Sequence, residues 1–380
     1  MISNRKLSFD SAKRVVVKIG SNVLTENNGL NVTFIRSITR QICRLIDDGR
    51  EVILVSSGAM ASGVKKVGLT KRPDELPQRQ AVAAVGQAGL IMAYEKAFGR
   101  HRKKVAQILL TSEDLSNRKR YLNARNTLYT LLSWRVVPII NENDTVSVEE
   151  IKFGDNDNLA AMITLLMDAD ILINLTDIEG LFDKDPRIHH DAQLIPMVTT
   201  ITKNTEQYAS EIAGALGTGG MISKIRAARK VNSAGIPMVI AKGDSTGILT
   251  KLFSDKARGT FFVPKKDRLT SRKCWIAFSL KPHGAIKIDD GAAEAILNNG
   301  KSLLPSGIIA VEADFNIGAP VEFRNRKNEI LGIGLANYSA DDIRKIMGLK
   351  SNQIKGVLGH KSYDEVVHRD NLVITCDGMV

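Results

Sequence analysis

Twice in the first sixty residues a short β-branched run ends in a small, Gly-containing turn and passes into helical sequence. Arg14 to Ile19 leads to Gly20-Ser21-Asn22, and Glu51 to Val55 leads to Ser56-Ser57-Gly58-Ala59. The spacing predicts strands at 105–110, 136–140, 171–175 and 238–242, and helices at 33–48, 80–98, 121–133, 159–168 and 224–232. Strands alternating with helices demand parallel pairing with helices covering the sheet. The expected fold class is therefore α/β. In such sheets ligands collect beyond the carboxyl ends of the strands, and every Gly-containing turn named here falls at that edge.

After about residue 250 the pattern changes. Lys251 to Lys273 is polar and basic with weak periodicity. Beyond it come short strands at 284–288, 307–312, 320–324 and 330–336, a helix at 340–347 and a last strand near Leu372. The expected division is a first domain over 1–262, a linker over 263–281 and a small β-rich domain over 282–380.

The net charge of +12 raises the question of nucleic acid. Its placement argues otherwise for the end of the chain, where Lys281 to Val380 carries 12 Lys/Arg against 13 Asp/Glu. No apolar run nears the roughly 18 residues of a membrane span, and no secretory leader is evident. The three cysteines, Cys43, Cys274 and Cys376, have no metal spacing and read as reduced thiols of a cytoplasmic protein.

The stretch Gly217-Thr218-Gly219-Gly220-Met221-Ile222-Ser223-Lys224 joins a glycine-rich loop to a helix start. Backbone N–H groups, the helix dipole, two hydroxyls and one ammonium converge there, which is a phosphate cradle by physics. Its glycine spacing is not that of a Walker A loop. Lys18, at the end of the first strand, is a second phosphate grip. Asn141-Glu142-Asn143-Asp144 and Gly154-Asp155-Asn156-Asp157-Asn158 supply amides beside acids, suited to a ligand with one ammonium and several carboxylates. Asp155 and Asp157 are candidates for holding a hydrated Mg2+. Thr176-Asp177 ends another strand on the same side. Lysines, glycine turns, acids and amides without an evident base suit phosphoryl transfer to a group already ionised.

Lys18-Ile-Gly-Ser, Ser57-Gly-Ala, Ala84-Val-Gly-Gln87, Asn141-Glu-Asn-Asp144, Gly154-Asp-Asn-Asp-Asn158, Thr176-Asp177, Asp185-Pro-Arg187 and Gly217-Thr-Gly-Gly-Met221 occur in the order in which the glutamate 5-kinase family carries them. The chain resembles that family through nearly its whole length. The resemblance implies the amino-acid kinase fold, a three-layer α/β/α sandwich around a mainly parallel sheet, with a PUA-like domain behind it. It implies ATP-dependent phosphorylation of the γ-carboxylate of L-glutamate, the first step of proline biosynthesis. It also implies feedback inhibition by proline, a reductase that consumes the glutamyl phosphate, and a homo-oligomer, dimer or tetramer.

By the same resemblance Lys18 and Lys224 touch ATP phosphates, with Asp157 as their catalytic companion. Ser57, Asp144 and Asn156 bind glutamate. Thr176, Asp177 and the run Thr218, Gly219, Gly220, Met221, Ile222, Ser223 and Lys224 bind ATP, with Mg2+ accompanying it. PUA domains elsewhere bind RNA, but the balanced charge of this one favours a structural or regulatory module. The sequence departs from the family at Asn22, where Ser or Thr is usual, at Ile178, where Gln is common, and at Ser223, where Thr is usual. A related kinase with another carboxylate or carbamate acceptor, and an RNA-binding protein with a kinase-like scaffold, are the alternatives.

Overall fold

The computed structural model describes residues 2–26, 29–146, 156–211, 220–244, 246–254, 256, 258–266 and 268–374. It separates into two compact units, Met1–Arg268 and Leu269–Val380.

The first unit starts with α1 (Ile2–Ser11), β1 (Arg14–Ile19), α2 (Ser21–Leu24), a small hairpin of β2 (Thr25–Glu26) and β3 (Gly29–Leu30), and α3 (Val32–Asp47). Then come β4 (Glu51–Ser56), α4 (Ala59–Val67), α5 (Leu76–Gly99), β5 (Lys104–Leu110), α6 (Ser112–Ser116), α7 (Arg118–Ser133) and β6 (Val136–Glu142). The remainder is α8 (Asn156–Leu166), β7 (Ile171–Thr176), β8 (Met197–Val198), α9 (Lys203–Glu211), α10 (Met221–Ser233), β9 (Met238–Lys242), α11 (Ile248–Phe253) and β10 (Thr260–Phe262).

Eight of these strands form one sheet in the order β5-β6-β4-β1-β7-β9-β10-β8. All its pairings are parallel except β9 with β10. The central strands are buried on both faces, which is why they read as continuous Val/Ile/Leu runs. Side chains alternate between faces. Val15, Val17 and Ile19 enter a core with Ile35, Ile38 and Ile42 of α3 and Leu90, Tyr94 and Phe98 of α5. Val16 and Lys18 point to the opposite layer, where α8 packs on β1 and β7. The three-layer architecture expected from the sequence is present.

The turn after β4 is held by an unusually close crossing of α4 and α5. A Cβ on Gly86 would lie 1.7 Å from the Ala59 carbonyl oxygen, and one on Gly63 would lie 1.8 Å from that of Val82. Gly58, just before α4, has φ +103°, a left-handed conformation that favours glycine. Ser56 Oγ and the fully buried Tyr94 hydroxyl, 2.9 Å apart, tie the end of β4 to α5. Thus Ala84-Val-Gly-Gln87 and Ser57-Gly-Ala are two halves of one packing contact.

In the second unit α12 (Ser271–Ser279) precedes β11 (Gly284–Ile288), α13 (Asp290–Leu297), β12 (Ile308–Glu312), β13 (Pro320–Arg324), β14 (Ile330–Leu335), α14 (Ala340–Ile346), α15 (Ile354–Leu358) and β15 (Leu372–Ile374). Its five-stranded sheet runs β12-β11-β13-β14-β15 and is mostly antiparallel. Ile286, Val321, Phe323, Ile343 and Val366 form its separate core. Within the stretch expected to be a linker, 271–279 is helical and buries Cys274, Trp275, Ile276 and Ala277. Its apolar residues are consecutive rather than periodic, which hid the helix.

Gly86→Ala is expected to lower unfolding free energy by about 1–3 kcal/mol or more, the cost of overpacking a tight contact. Gly99→Ala, with nothing within 4 Å of the added carbon, should leave stability unchanged or slightly raised. Urea denaturation of the two variants checks both.

Candidate active site

Lys18 lies one residue before the end of β1, and its register partner on β7 is Asn174. Neighbours in a parallel pair stand side by side on the same face, so both side chains reach one place. Asp157 arrives in the first turn of α8, where a carboxylate is favoured by the helix dipole. Ser223 and Lys224 arrive from the first turn of α10, whose start at Gly220 has no side-chain cap.

All five meet at the Asp157 carboxylate, which has no exposed surface. Its Oδ1 pairs with the Lys18 ammonium and accepts a hydrogen bond from Asn174 Nδ2 at 2.7 Å. Its Oδ2 accepts from Lys224 Nζ at 3.0 Å and from Ser223 Oγ at 2.6 Å. Burial alone would raise the pKa of Asp157. The ammoniums of Lys18 and Lys224, with the hydrogen bond from Ser223, outweigh it and hold the carboxyl far below the usual range. Lys18 and Lys224 are themselves buried.

One residue earlier, Asn156 turns to a different set. Its Nδ2 donates to Ser57 Oγ at 2.7 Å and to Asn141 Oδ1 at 3.1 Å. Asn141 Nδ2 in turn donates to Gln87 Oε1 at 2.8 Å. The Asn156 Oδ1 is buried without a hydrogen-bond partner among the described residues. Asp144, two residues past β6, is half-buried. Burial raises its carboxyl above the ordinary range, and the nearby Arg72 guanidinium opposes the rise.

At the end of β7, Asp177 accepts from Asn22 Nδ2 at 2.8 Å and from Thr176 Oγ1 at 3.0 Å. Partial burial works against ionisation there, yet these donors and a backbone N–H hold its carboxyl below the ordinary range. Asn22, in α2, thus joins the element after β1 to the end of β7. Asp185-Pro-Arg187 closes on itself: Arg187 Nη2 sits 2.6 Å from Asp185 Oδ2, and the Asp185 oxygens also take the Arg187 backbone N–H and Nε.

The structure therefore gathers Lys18, Asp157, Ser223 and Lys224 into one cluster and joins Ser57 to Asn156. Thr176 and Asp177 stand at the adjoining strand end, and Gly220, Met221 and Ile222 at the start of α10. Thr218, Gly219 and Asp155 lie outside the described residues. Asn174 and Gln87 were not among the residues expected at the site, and Asn141 was read only as part of its cluster. Asn174 interrupts an apolar strand, and that polar interruption was the available signal.

Asp157 was also a candidate Mg2+ ligand. Its two oxygens already take four donors, which leaves it no lone pair for a cation. Among the described residues no group of three or more His, Cys, Asp or Glu gathers as a metal site. Asp157, so occupied, does not fit a resident metal; Asp155, the other candidate, lies outside the described residues. Cys43 and Cys274 are buried and form no disulfide among the described residues, and burial pushes the Cys43 thiol up to about 11. Among the described residues no helix is long and apolar enough to cross a membrane.

Residues 13–242 match the amino acid kinase family, and residues 284–358 match the PUA domain. The chain belongs to the amino acid kinase family. Within it, its relatives are glutamate 5-kinases. That of Syntrophus aciditrophicus is 51% identical over 374 residues, spanning 98% of this chain and 97% of that protein. Those of Geobacter metallireducens and Caldanaerobacter subterraneus are 50% and 49% identical, spanning 97% and 95% of this chain and 100% and 97% of theirs. A solved carbamate kinase from Giardia lamblia, bound to AMP-PNP, aligns with 67% of this chain and all of its own at 13% identity and a TM-score of 0.49.

Asp157→Asn leaves two buried ammoniums without their counter-ion, so a loss of about 3–5 kcal/mol at pH 7 is expected. The folded pKa of Asp157 lies below the unfolded value of about 3.9. Its stabilisation is complete above that value and is lost as pH falls toward the folded one. The gap between wild type and variant should thus narrow below about pH 4, by about 1.4 kcal/mol per pH unit. Urea midpoints at pH 7, 4 and 3 measure it.

Proposed function

We propose that this protein transfers the γ-phosphoryl group of ATP to the γ-carboxylate of L-glutamate. The product is L-glutamyl 5-phosphate, and the reaction is the first step of proline biosynthesis. The observation that carries the reading is the Lys18–Asp157–Lys224 cluster at the carboxyl edge of the sheet, in a chain about half identical to glutamate 5-kinases along nearly its whole length.

The acceptor carboxylate has an ordinary pKa of about 4.3 and needs no base at neutral pH. The obstacle is the approach of two anions. Two ammoniums held by one carboxylate leave a net positive charge in a buried setting, and it lowers that repulsion. ATP phosphates are held by Lys18, Lys224, the run 218–220 and the start of α10 through Ser223. The nucleotide reaches Thr176 and Asp177, and magnesium enters with the phosphates. Glutamate lies against Ser57 and Asn156, backed by Asn141 and Gln87. Asp144 pairs with its ammonium, and the unpartnered Asn156 Oδ1 offers a further acceptor. An acyl phosphate is labile, so a reductase consuming it acts next. Proline inhibition, a dimer or tetramer and a cytoplasmic location complete the assignment by relationship. The charge balance of the second unit supports a structural or regulatory role rather than RNA binding.

With ATP, Mg2+, L-glutamate and hydroxylamine the protein should form a glutamate-dependent hydroxamate, and excess chelator should stop it. Folded protein giving none would overturn the reading, and a panel with aspartate, N-acetylglutamate and carbamate tests the acceptor. Lys224→Ala should lower kcat by about 10²-fold or more with the fold retained. Asp144→Ala should mainly raise the KM for glutamate; an unchanged KM removes Asp144 from the pocket.

A further inference from the structure

We infer that Asn174 is a positioning residue for phosphoryl transfer, the sheet-side anchor that fixes the Asp157 carboxylate between the two lysines. The inference rests on the phosphotransfer reading of the site.

Asn174 sits in the middle of β7, a six-residue strand buried throughout, between β1 and β9. Its strand neighbours are Ile173 and Leu175. Asparagine is disfavoured in strands, and this one has no exposed surface. Only half of its carboxamide is used. Nδ2 donates to Asp157 Oδ1 at 2.7 Å, while its Oδ1 is buried with no hydrogen-bond partner among the described residues. A buried unpaired carbonyl lowers stability, and an aliphatic side chain would suit the strand better. The one hydrogen bond that its side chain makes among the described residues must therefore explain it.

That contact completes a pattern. Each Asp157 oxygen takes one long, flexible ammonium and one short, neutral donor. On Oδ2 these are Lys224 and Ser223, both from α10. On Oδ1 they are Lys18 and Asn174, cross-strand partners on the sheet. A lysine has four rotatable bonds and cannot by itself fix the plane of the carboxylate it meets. Ser223 and Asn174 are short and carried on rigid elements, one from each layer. Together they stop rotation about the Asp157 Cβ–Cγ bond, so each ammonium keeps its own oxygen. Without Asn174 the sheet-side oxygen keeps the Lys18 ammonium but loses its short, rigid donor. Lys18 then loses its fixed station beside the transferred group.

The test is Asn174→Val, with Asn174→Ala as a smaller variant that cannot clash. Both should lower kcat about tenfold or more and leave KM for ATP and glutamate within about twofold. The Tm of Asn174→Val should equal or exceed that of wild type, so that activity and stability move apart. The Tm shift it causes should also be less favourable with Asp157 present than in the Asp157→Asn background, where the acceptor carries no charge. The inference is overturned by a kcat within twofold of wild type in both variants, by a kcat loss that tracks an equal fall in Tm, or by identical Tm shifts in the two backgrounds. A wild-type protein that makes no hydroxamate counts instead against the phosphotransfer reading, and the Tm comparison then decides on Asn174 alone.

Discussion

The active-site end of the larger unit depends on a carboxylate that neutralises one of two like charges. At an effective dielectric near 20, two ammoniums about 4 Å apart repel by about 4 kcal/mol. Lys18 and Lys224 share a buried site because Asp157 stands between them and because Ser223 and Asn174 satisfy what the lysines do not. Taking the three charged groups out of water has its own cost, which only complete hydrogen bonding offsets. Four donors on two oxygens meet that requirement for Asp157.

Three distant parts of the sequence meet there because parallel strands all end on one edge. Lys18 leaves β1, the helices α8 and α10 return to the same edge, and the register of β1 against β7 sets Lys18 beside Asn174. Glycine has a different task from the one the loop motifs first imply. Gly63 packs against the Val82 backbone and Gly86 against that of Ala59. They let α4 and α5 cross so closely that Ser57 and Gln87 are fixed on opposite sides of the Asn141–Asn156 network.

Where the chain repeats one physical device, its sequence was readable. The expected strands over 14–19, 238–242, 284–288 and 320–324 coincide with β1, β9, β11 and β13, and the other main strands differ by a residue or two at their ends. Lys18, Asp157 and Lys224 could be named because each stands at a strand end or helix start next to a Gly-rich or polar turn. Other parts gave no such signal. Ile2–Ser11 has no apolar stripe, so α1 was missed. Met197–Val198 and Thr260–Phe262 are too short for alternation to show, though they extend the sheet to its far edge. Gln87 lies in an Ala-rich helix and Asn174 in an apolar strand, where composition favours a packing role. Their polar contacts are 54 and 17 residues away along the chain, and only the fold reveals them.

The start of α8 explains how one element serves two chemistries. Successive residues on a helix project about 100° apart. Asn156 therefore faces Ser57 and Asn141 on the proposed acceptor side, while Asp157 faces the lysines on the proposed phosphate side. The spacing between the two sides is set by adjacent peptide units of one helix rather than by separate loops. Any slip of α8 along its axis would move both sets of contacts together, so the acceptor and the phosphate grip stay aligned. Asn158, the next residue, continues the turn and accepts from Lys230 of α10 at 2.6 Å. That bond ties the start of α8 to the last turn of α10. The relative placement of Asp157 and Lys224 is thereby fixed from outside the site as well as by their own ion pair.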